Sequence, residues 1–389
     1  MKILSVVGAR PNFIKIAPLI REMRKRHGVT SFLVHTGQHY DVRMAGQFFE
    51  DLGIPNPDVS LEVGSGSHAQ QTAEVMKRIE PVLERERPDL VLVVGDVNST
   101  MAAAITATKL QIPVAHVEAG LRSFDRTMPE EINRLVTDAV SDYLFVTEES
   151  GLQNLRSEGV PQDKIHFVGN VMIDSLEASR RIWQRSTILD RLGLSGEAYG
   201  VVTLHRPSNV DDPDTLRGLI AAVEEVGSRI PIIFPVHPRT RKSIEHMEDK
   251  RAALQLDAEF SVPGLHCVDP LGYLDFMALV AHARLVLTDS GGIQEETTAL
   301  GIPCLTIREN TERPVTVSHG TNRLVGTSSS HIIEEATLML TEPPARKSLP
   351  PLWDGRAAER ILDILVKQTT HTASQKSMLP SAPAPAGRS

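Results

Sequence analysis

Cysteine, long apolar runs and any excess of basic charge are what this chain has least of, and each shortage closes a class of function. The 389 residues hold two cysteines, Cys267 and Cys304, far apart and without metal-ligand spacing. That excludes a disulfide-stapled scaffold and a cysteine zinc site, and it fits a reduced cytoplasmic protein. No stretch approaches the ~18 apolar residues of a membrane span, and the opening apolar run, Ile3 to Val7, is too short for a signal-peptide core. A soluble, unexported chain with no membrane partner is expected. The formal net charge is -8, the pI is near 6.0, and no basic cluster interleaves with aromatics. Nucleic acid is therefore not an expected partner, and any bound anion must be held by local groups. The first strand is not followed by G-x-G-x-x-G, which argues against a nicotinamide cofactor, and no G-x-S-x-G elbow supports a serine hydrolase. No metal spacing accompanies the histidines discussed below, so neither metal nor cofactor is expected.

What is present is a regular alternation of apolar runs and helix-period segments, the pattern of α/β architecture with parallel sheets. Strands are predicted near Ile3–Val7, Ser31–His35, Leu90–Val94, Val114–Val117, Tyr143–Val146 and Ile165–Val168. A second series follows near Tyr199–Leu204, Ile232–Val236, Leu265–Val268, Leu285–Thr288 and Cys304–Ile307. Between Phe13 and Arg26, Ile14, Ala17, Ile20 and Met23 recur at helical spacing, so that helix packs on a sheet. The expectation is two Rossmann-like, doubly wound domains facing a cleft. Residues 1–170 form the first, 171–197 a linker and hinge, and 198–353 the second. A helix at 354–368 packs back on the first domain, and a Ser-, Pro- and Ala-rich tail at 369–389 is expected to be disordered.

Ligands in such sheets bind beyond the carboxyl ends of strands, and there the polar clusters stand: GARPN, TGQHYD, GDVNST, HVEAGLR, LHRPSN, PVHPR and DSGGIQEE. The last is the most informative. A short apolar strand runs into Ser290-Gly291-Gly292 and opens a helix, whose unpartnered amides and dipole favour a phosphate; Glu296, further in, is placed to take ribose hydroxyls. Arg10 and Lys15 add a guanidinium fork and a point charge for a diphosphate, against the alternative of solvated charges at a helix start. Asp96 ends one strand and reads equally as helix cap or catalytic acid. Glu118 ends another among small residues, where an unpaired carboxylate is costly; it is either functional or paired with Arg122. Pro129-Glu130-Glu131 opens a helix and supplies a third acid. These acids are expected to converge for proton transfer, with His205-Arg206 and His237-Pro238-Arg239 facing them across the cleft.

With GARPNFIKIAPL, HVEAGLR, PEEINR, LTDSGGIQEE and TERP in this order, the chain resembles the non-hydrolysing UDP-N-acetylglucosamine 2-epimerases over most of residues 1–366. The resemblance implies the glycosyltransferase B-type arrangement of two domains, a homodimer, and UDP-N-acetylglucosamine and UDP as ligands. It assigns Asp96, Glu118 and Glu130 as catalytic acids and Lys15 and His205 as essential basic residues. Arg10, Ser290, Glu296 and Arg313 become nucleotide contacts, and Phe276 lies near the uracil. HRPSN and GQHYD depart from the versions in well-known members. The hydrolysing relatives carry HIEGGE-like and DDSIRH-like segments where this chain has HVEAGL and PEEINR. Relatives acting on acetamido-uronic acid sugars share most of the motifs, and a UDP-sugar glycosyltransferase or a non-catalytic sensor would use the same nucleotide pocket.

Overall fold

In the computed structural model of the protein, residues 1–37, 51–246, 260, 262–344 and 348–377 are described, without the side chains of Arg10 and of 369–377. The residues Gln38 to Asp41 of the TGQHYD cluster and the end of the tail, 378–389, lie outside this set.

Two sheets form, each wholly parallel. The first takes β1 (Lys2–Val7), β2 (Thr30–His35), β3 (Val59–Ser60), β4 (Leu90–Val94), β5 (Val114–Ala119), β6 (Tyr143–Val146) and β7 (Ile165–Phe167), in the order β3-β2-β1-β4-β5-β6-β7. The second takes β8 (Gly200–Thr203), β9 (Pro231–Pro235), β10 (Gly264–Val268), β11 (Leu285–Thr288), β12 (Cys304–Thr306) and β13 (Asn322–Leu324), in the order β10-β9-β8-β11-β12-β13. Strands such as β4, buried at every residue, read as unbroken apolar runs because helices cover both faces. Strand order reverses between β1 and β4 and between β8 and β11, which opens a crevice at each switch point. The ends of β1, β4, β5, β8 and β11 therefore carry the site.

The expected strands are all present; β3 and β13 are additions. Val59–Ser60 and Asn322–Leu324 are too short to show a period, and the second is held to its neighbour partly by the Thr306 hydroxyl donating to Asn322 Oδ1 at 2.7 Å. The segment expected to be a linking helix and hinge does contain a helix, and that helix is packed. Its helix Val171–Trp183 buries Val171, Ile173, Leu176 and Trp183 in one core with Phe13 and Ile16 of the first half and Tyr273, Met277 and Ile293 of the second.

The last helix, Ala357–Ser377, joins the same core through Ala357, Ile361, Leu362 and Leu365. Asp174 binds its first amides, at 3.0 Å to Ala357 N and 2.7 Å to Ala358 N. The helix runs past Gln368 into the stretch expected to be disordered, since no proline or glycine interrupts it before Pro380. Among the described residues, no helix is long and apolar enough to cross a membrane, and no group of three or more His, Cys, Asp or Glu is placed to hold a metal ion.

Candidate active site

The site is built around Glu118. Strand β5 loses register with β6 between Val117 and Ala119, and at that bulge Glu118 takes a φ of 77°, a left-handed conformation uncommon for any residue but glycine. Such strain persists only where surrounding contacts hold it. Here Lys15 Nζ stands 2.6 Å from Oε2 and Arg313 Nη2 2.8 Å from Oε1, with all three side chains buried. The lysine's charge faces Oε2, which has no hydrogen-bonding partner. The alternative pairing of Glu118 with Arg122 does not occur. Arg122 lies beyond the bulge and Gly120 and pairs instead with Asp138 and Glu158, both at 2.7 Å.

Lys15 reaches the acid because Gly95, at a φ of 67°, leaves room: a Cβ there would stand 3.0 Å from Nζ. Asn12 holds the preceding loop, accepting from Gly8 N and Ala9 N at 3.1 Å and donating to Val94 O at 2.9 Å. Arg10 opens the helix Arg10–Lys25, and its side chain is outside the described ones. Asp96 is not a helix cap; Val97 has that position. Arg134 Nη1 lies 2.5 Å from Asp96 Oδ2. Burial opposes ionisation of Asp96, but Arg134, then Lys15 and Arg313, outweigh it and hold the carboxyl below its ordinary range. Asp96 and Glu118 thus share the field of Lys15 and Arg313. Glu130 is half-buried in the first turn of the helix Pro129–Val140, and no contact among the described residues ties it to either acid.

In the second half the expected histidines find partners on their own half, with His205 half-buried and His237 exposed. Asp289, fully buried after β11, accepts from His205 N and Arg206 N, each at 2.9 Å, and pairs with His205 Nδ1 at 2.9 Å. His237 accepts from Arg239 N at 3.2 Å and so caps its own helix, Pro238–Glu245, while its ring centroid lies 5.7 Å from that of His205. Arg239 pairs with Asp211 at 2.5 Å. The contact that crosses to the first half's acids is therefore made by Arg313. Its Nε is 2.8 Å from Glu295 Oε1, and Nη1 reaches Glu312.

Ser290 occupies the cap position of the helix Gly291–Leu300 without a side-chain capping bond. A Cβ at Gly291 would lie 2.5 Å from Arg313 Nη1, so a larger residue there must push the guanidinium aside. Gly292 follows in the first turn, so the helix start and Arg313 are adjacent. Glu296 accepts from Tyr273 Oη at 3.2 Å, and burial pushes its carboxyl up to about 8. Phe276 lies half-buried on the same helix as Tyr273, Tyr273–Ala281.

Three residues not singled out from the sequence complete the site: Asp289 and Glu295, both within DSGGIQEE, and Glu148. Glu148 is buried, accepts from Ser150 Oγ at 2.6 Å and leaves Oε2 unpartnered. Burial, helped by the nearby Glu295, raises it to about 7. Its signal was a polar TEES following β6, hidden because nothing local shows that the acid is buried. Buried carboxylates thus crowd around Lys15 and Arg313, and some hold protons near neutrality. Such a cleft can bind an anion on its cations and move a proton at a carboxylate.

Two parallel α/β halves with glycine helix start, cations and acids at the strand ends define the class of nucleotide-sugar enzymes built on paired Rossmann-like domains. The family model for UDP-N-acetylglucosamine 2-epimerase matches residues 21–366, and the chain belongs to that family of isomerases. It is 41% identical over 376 residues to the UDP-N-acetylglucosamine 2-epimerase of Methanocaldococcus jannaschii, covering 94% of this chain and 99% of that one. The crystal structure of the M. jannaschii enzyme with UDP-GlcNAc and UDP superposes with a TM-score of 0.87, at 40% identity over 94% of this chain and all of that one. The UDP-2,3-diacetamido-2,3-dideoxy-D-glucuronate 2-epimerase of Pseudomonas aeruginosa is 42% identical over 371 residues, covering 94% of this chain and 100% of its own. A glycotransferase of kitacinnamycin, 13% identical with a TM-score of 0.55 over 94% of this chain and 98% of its own, shares the fold alone.

Proposed function

We propose that the protein reversibly converts UDP-N-acetylglucosamine to UDP-N-acetylmannosamine by eliminating and re-adding UDP through a 2-acetamidoglucal. The observation that carries this reading is the strained Glu118 carboxylate held between Lys15 and Arg313 beside a glycine helix start. Hydrogen on carbon 2 is not next to a carbonyl, so a carboxylate can remove it only after something acidifies it. Breaking the bond from carbon 1 to the diphosphate oxygen, with the electron pair leaving on UDP, creates cationic character at carbon 1. The carbon 2 proton then passes to a carboxylate, and a double bond forms between carbons 1 and 2. Return of a proton to the opposite face, with UDP oxygen re-forming the bond to carbon 1, inverts the centre.

In this reading Asp96, Glu118 and Glu130 handle protons on the two faces. Arg10, Lys15, His205, Arg313 and the helix start at Ser290, Gly291 and Gly292 hold the leaving diphosphate, at ~2.7 to 4 kcal/mol per well-placed donor. His237 binds the substrate beside His205, Glu296 takes the ribose and Phe276 lies by the uracil. The division into domains at 1–170 and 198–353, a homodimer and a cytoplasmic location belong to the same proposal. Sedimentation of the purified chain at the monomer's mass would remove the dimer from it.

Incubation with UDP-N-acetylglucosamine alone in deuterium oxide tests the reaction. The manno epimer should form with deuterium at carbon 2, because a proton on an open carboxylic acid exchanges with solvent. Epimer formed without label would sink the acid-base scheme, and free N-acetylmannosamine with UDP would mark a hydrolysing enzyme. A second reading rests on the P. aeruginosa relative, which is as similar as the archaeal one: the sugar carries a second acetamido group and a carboxylate. Turnover of that UDP-diacetamido uronate in preference to UDP-N-acetylglucosamine would select it.

A further inference from the structure

The loop that leads from β5 to the helix Pro129–Val140 presents a side chain that the reaction above leaves unused. Phe124 is 78% exposed and has a φ of 59°. An exposed phenylalanine is ordinary by itself. One held in the left-handed region is not, because its Cβ crowds the backbone at a cost of ~1–2 kcal/mol. The cause of the conformation is visible. Glu131, itself buried, accepts from Ser123 N at 3.0 Å and from Phe124 N at 3.0 Å, using both oxygens. Arg134 donates to the same carboxylate at 2.9 and 2.6 Å and also reaches Asp96 at 2.5 Å. A continuous clamp therefore runs from the strained backbone of Phe124 to a proposed catalytic acid.

The loop also faces the second half. The Asp125 carboxyl is held below its ordinary range by the Thr127 hydroxyl and amide and, more weakly, by Arg308 from beyond β12. Glu312, from the same stretch as Arg308, acts on Arg134 in turn. A loop anchored on Glu131, beside a proposed catalytic acid, thus displays an aromatic ring to solvent.

The proposed chemistry has a step that needs such a ring. Once the bond at carbon 1 breaks, the cations of the site still hold UDP, but the glycal is neutral and offers them nothing to grip. Its pyranose ring does have an apolar C–H face. We infer that Phe124 covers the sugar of the nucleotide-sugar substrate, packs on that face, and retains the neutral intermediate and shields it from water until UDP returns. This inference rests on the epimerase reading. It makes Phe124 a specificity-determining residue that touches the sugar and leaves the nucleotide alone.

Phe124→Gly removes the ring and fits a φ of 59° without strain, so the variant should fold with an unchanged or higher Tm. Its affinity for UDP should stay within about twofold of the parent's, while KM for the UDP-sugar and the ratio of released 2-acetamidoglucal to epimer each rise roughly tenfold, the scale of one aromatic contact. Phe124→Tyr should restore both. A glycine variant with the parent's KM and the parent's ratio overturns the inference. So does one that dissociates a dimer while keeping both, since the ring would then serve a second copy of the chain. If the parent enzyme makes no epimer, the functional reading fails separately. Calorimetry then decides for Phe124, which must still weaken UDP-N-acetylglucosamine binding and spare UDP.

Discussion

The ends of β5 and β11 meet in one cleft and are built in opposite ways. At the end of β5 a glutamate occupies the left-handed region at a bulge and is gripped by two buried cations. At the end of β11 an aspartate turns inward to bind His205 and Arg206, and glycines take the tight positions that follow. Strain is accepted where a carboxylate must point into the cleft, and avoided where backbone amides must be left open. The first arrangement suits proton transfer, the second suits holding an anion, and substitutions at the two ends should fail differently.

Glu118→Gln should give the largest effect: kcat lower by roughly 100-fold or more with UDP affinity within a few-fold, as expected of a proton-transfer group. Calorimetry on the folded variant checks it, and collapse of UDP binding would show that both ends hold the anion. Gly291→Ala should do the reverse. Its Cβ would displace Arg313 Nη1, 2.5 Å away, and obstruct the helix start. UDP affinity should fall roughly tenfold, the scale of one or two charge-assisted hydrogen bonds. Undiminished UDP binding would remove the helix start from the nucleotide site.

The smallest effect is expected at Glu148, whose carboxyl belongs to neither end. Its folded value of about 7 lies above the ordinary 4.5, so between those values the folded state holds a proton that the unfolded chain has lost. Its contribution to stability therefore falls as pH rises through that window. Glu148→Gln removes the titration, and its Tm relative to the parent should be higher at pH 8 than at pH 5. Equal differences at the two pH values would mean that Glu148 ionises without cost, already paired by Arg313.

Most of the fold was legible because buried parallel strands are unbroken apolar runs and their helices carry a clean period. β3 and β13 were not, since two or three residues cannot show periodicity and pairing alone makes them strands. In the site, Lys15, Glu118 and Ser290 stood out by residue type and position near strand ends, and Arg313 through the family resemblance. Their partnerships did not. Lys15 and Arg313 meet on Glu118 because strand order brings β1, β5 and the loop after β12 to one crevice, and no local pattern encodes that. The contacts of the histidines were hidden for a related reason. Their partners, Asp289 and the helix start at Arg239, lie on their own half, and distance along the chain hid the first of them. Glu148 was missed because burial, which sets its chemistry, is a property of its surroundings.

The chain passes between the halves twice, once after β7 and once on the return through Leu352 and Trp353. The two passages run side by side: a Cβ on Gly169 would stand 2.1 Å from Leu352 O, and Trp353 Nε1 donates to Thr147 O at 3.0 Å. A single tether lets two bodies swing and twist about a point, whereas two neighbouring tethers act like the pins of a door. Two such passages resist twisting of one half against the other more than a single tether would.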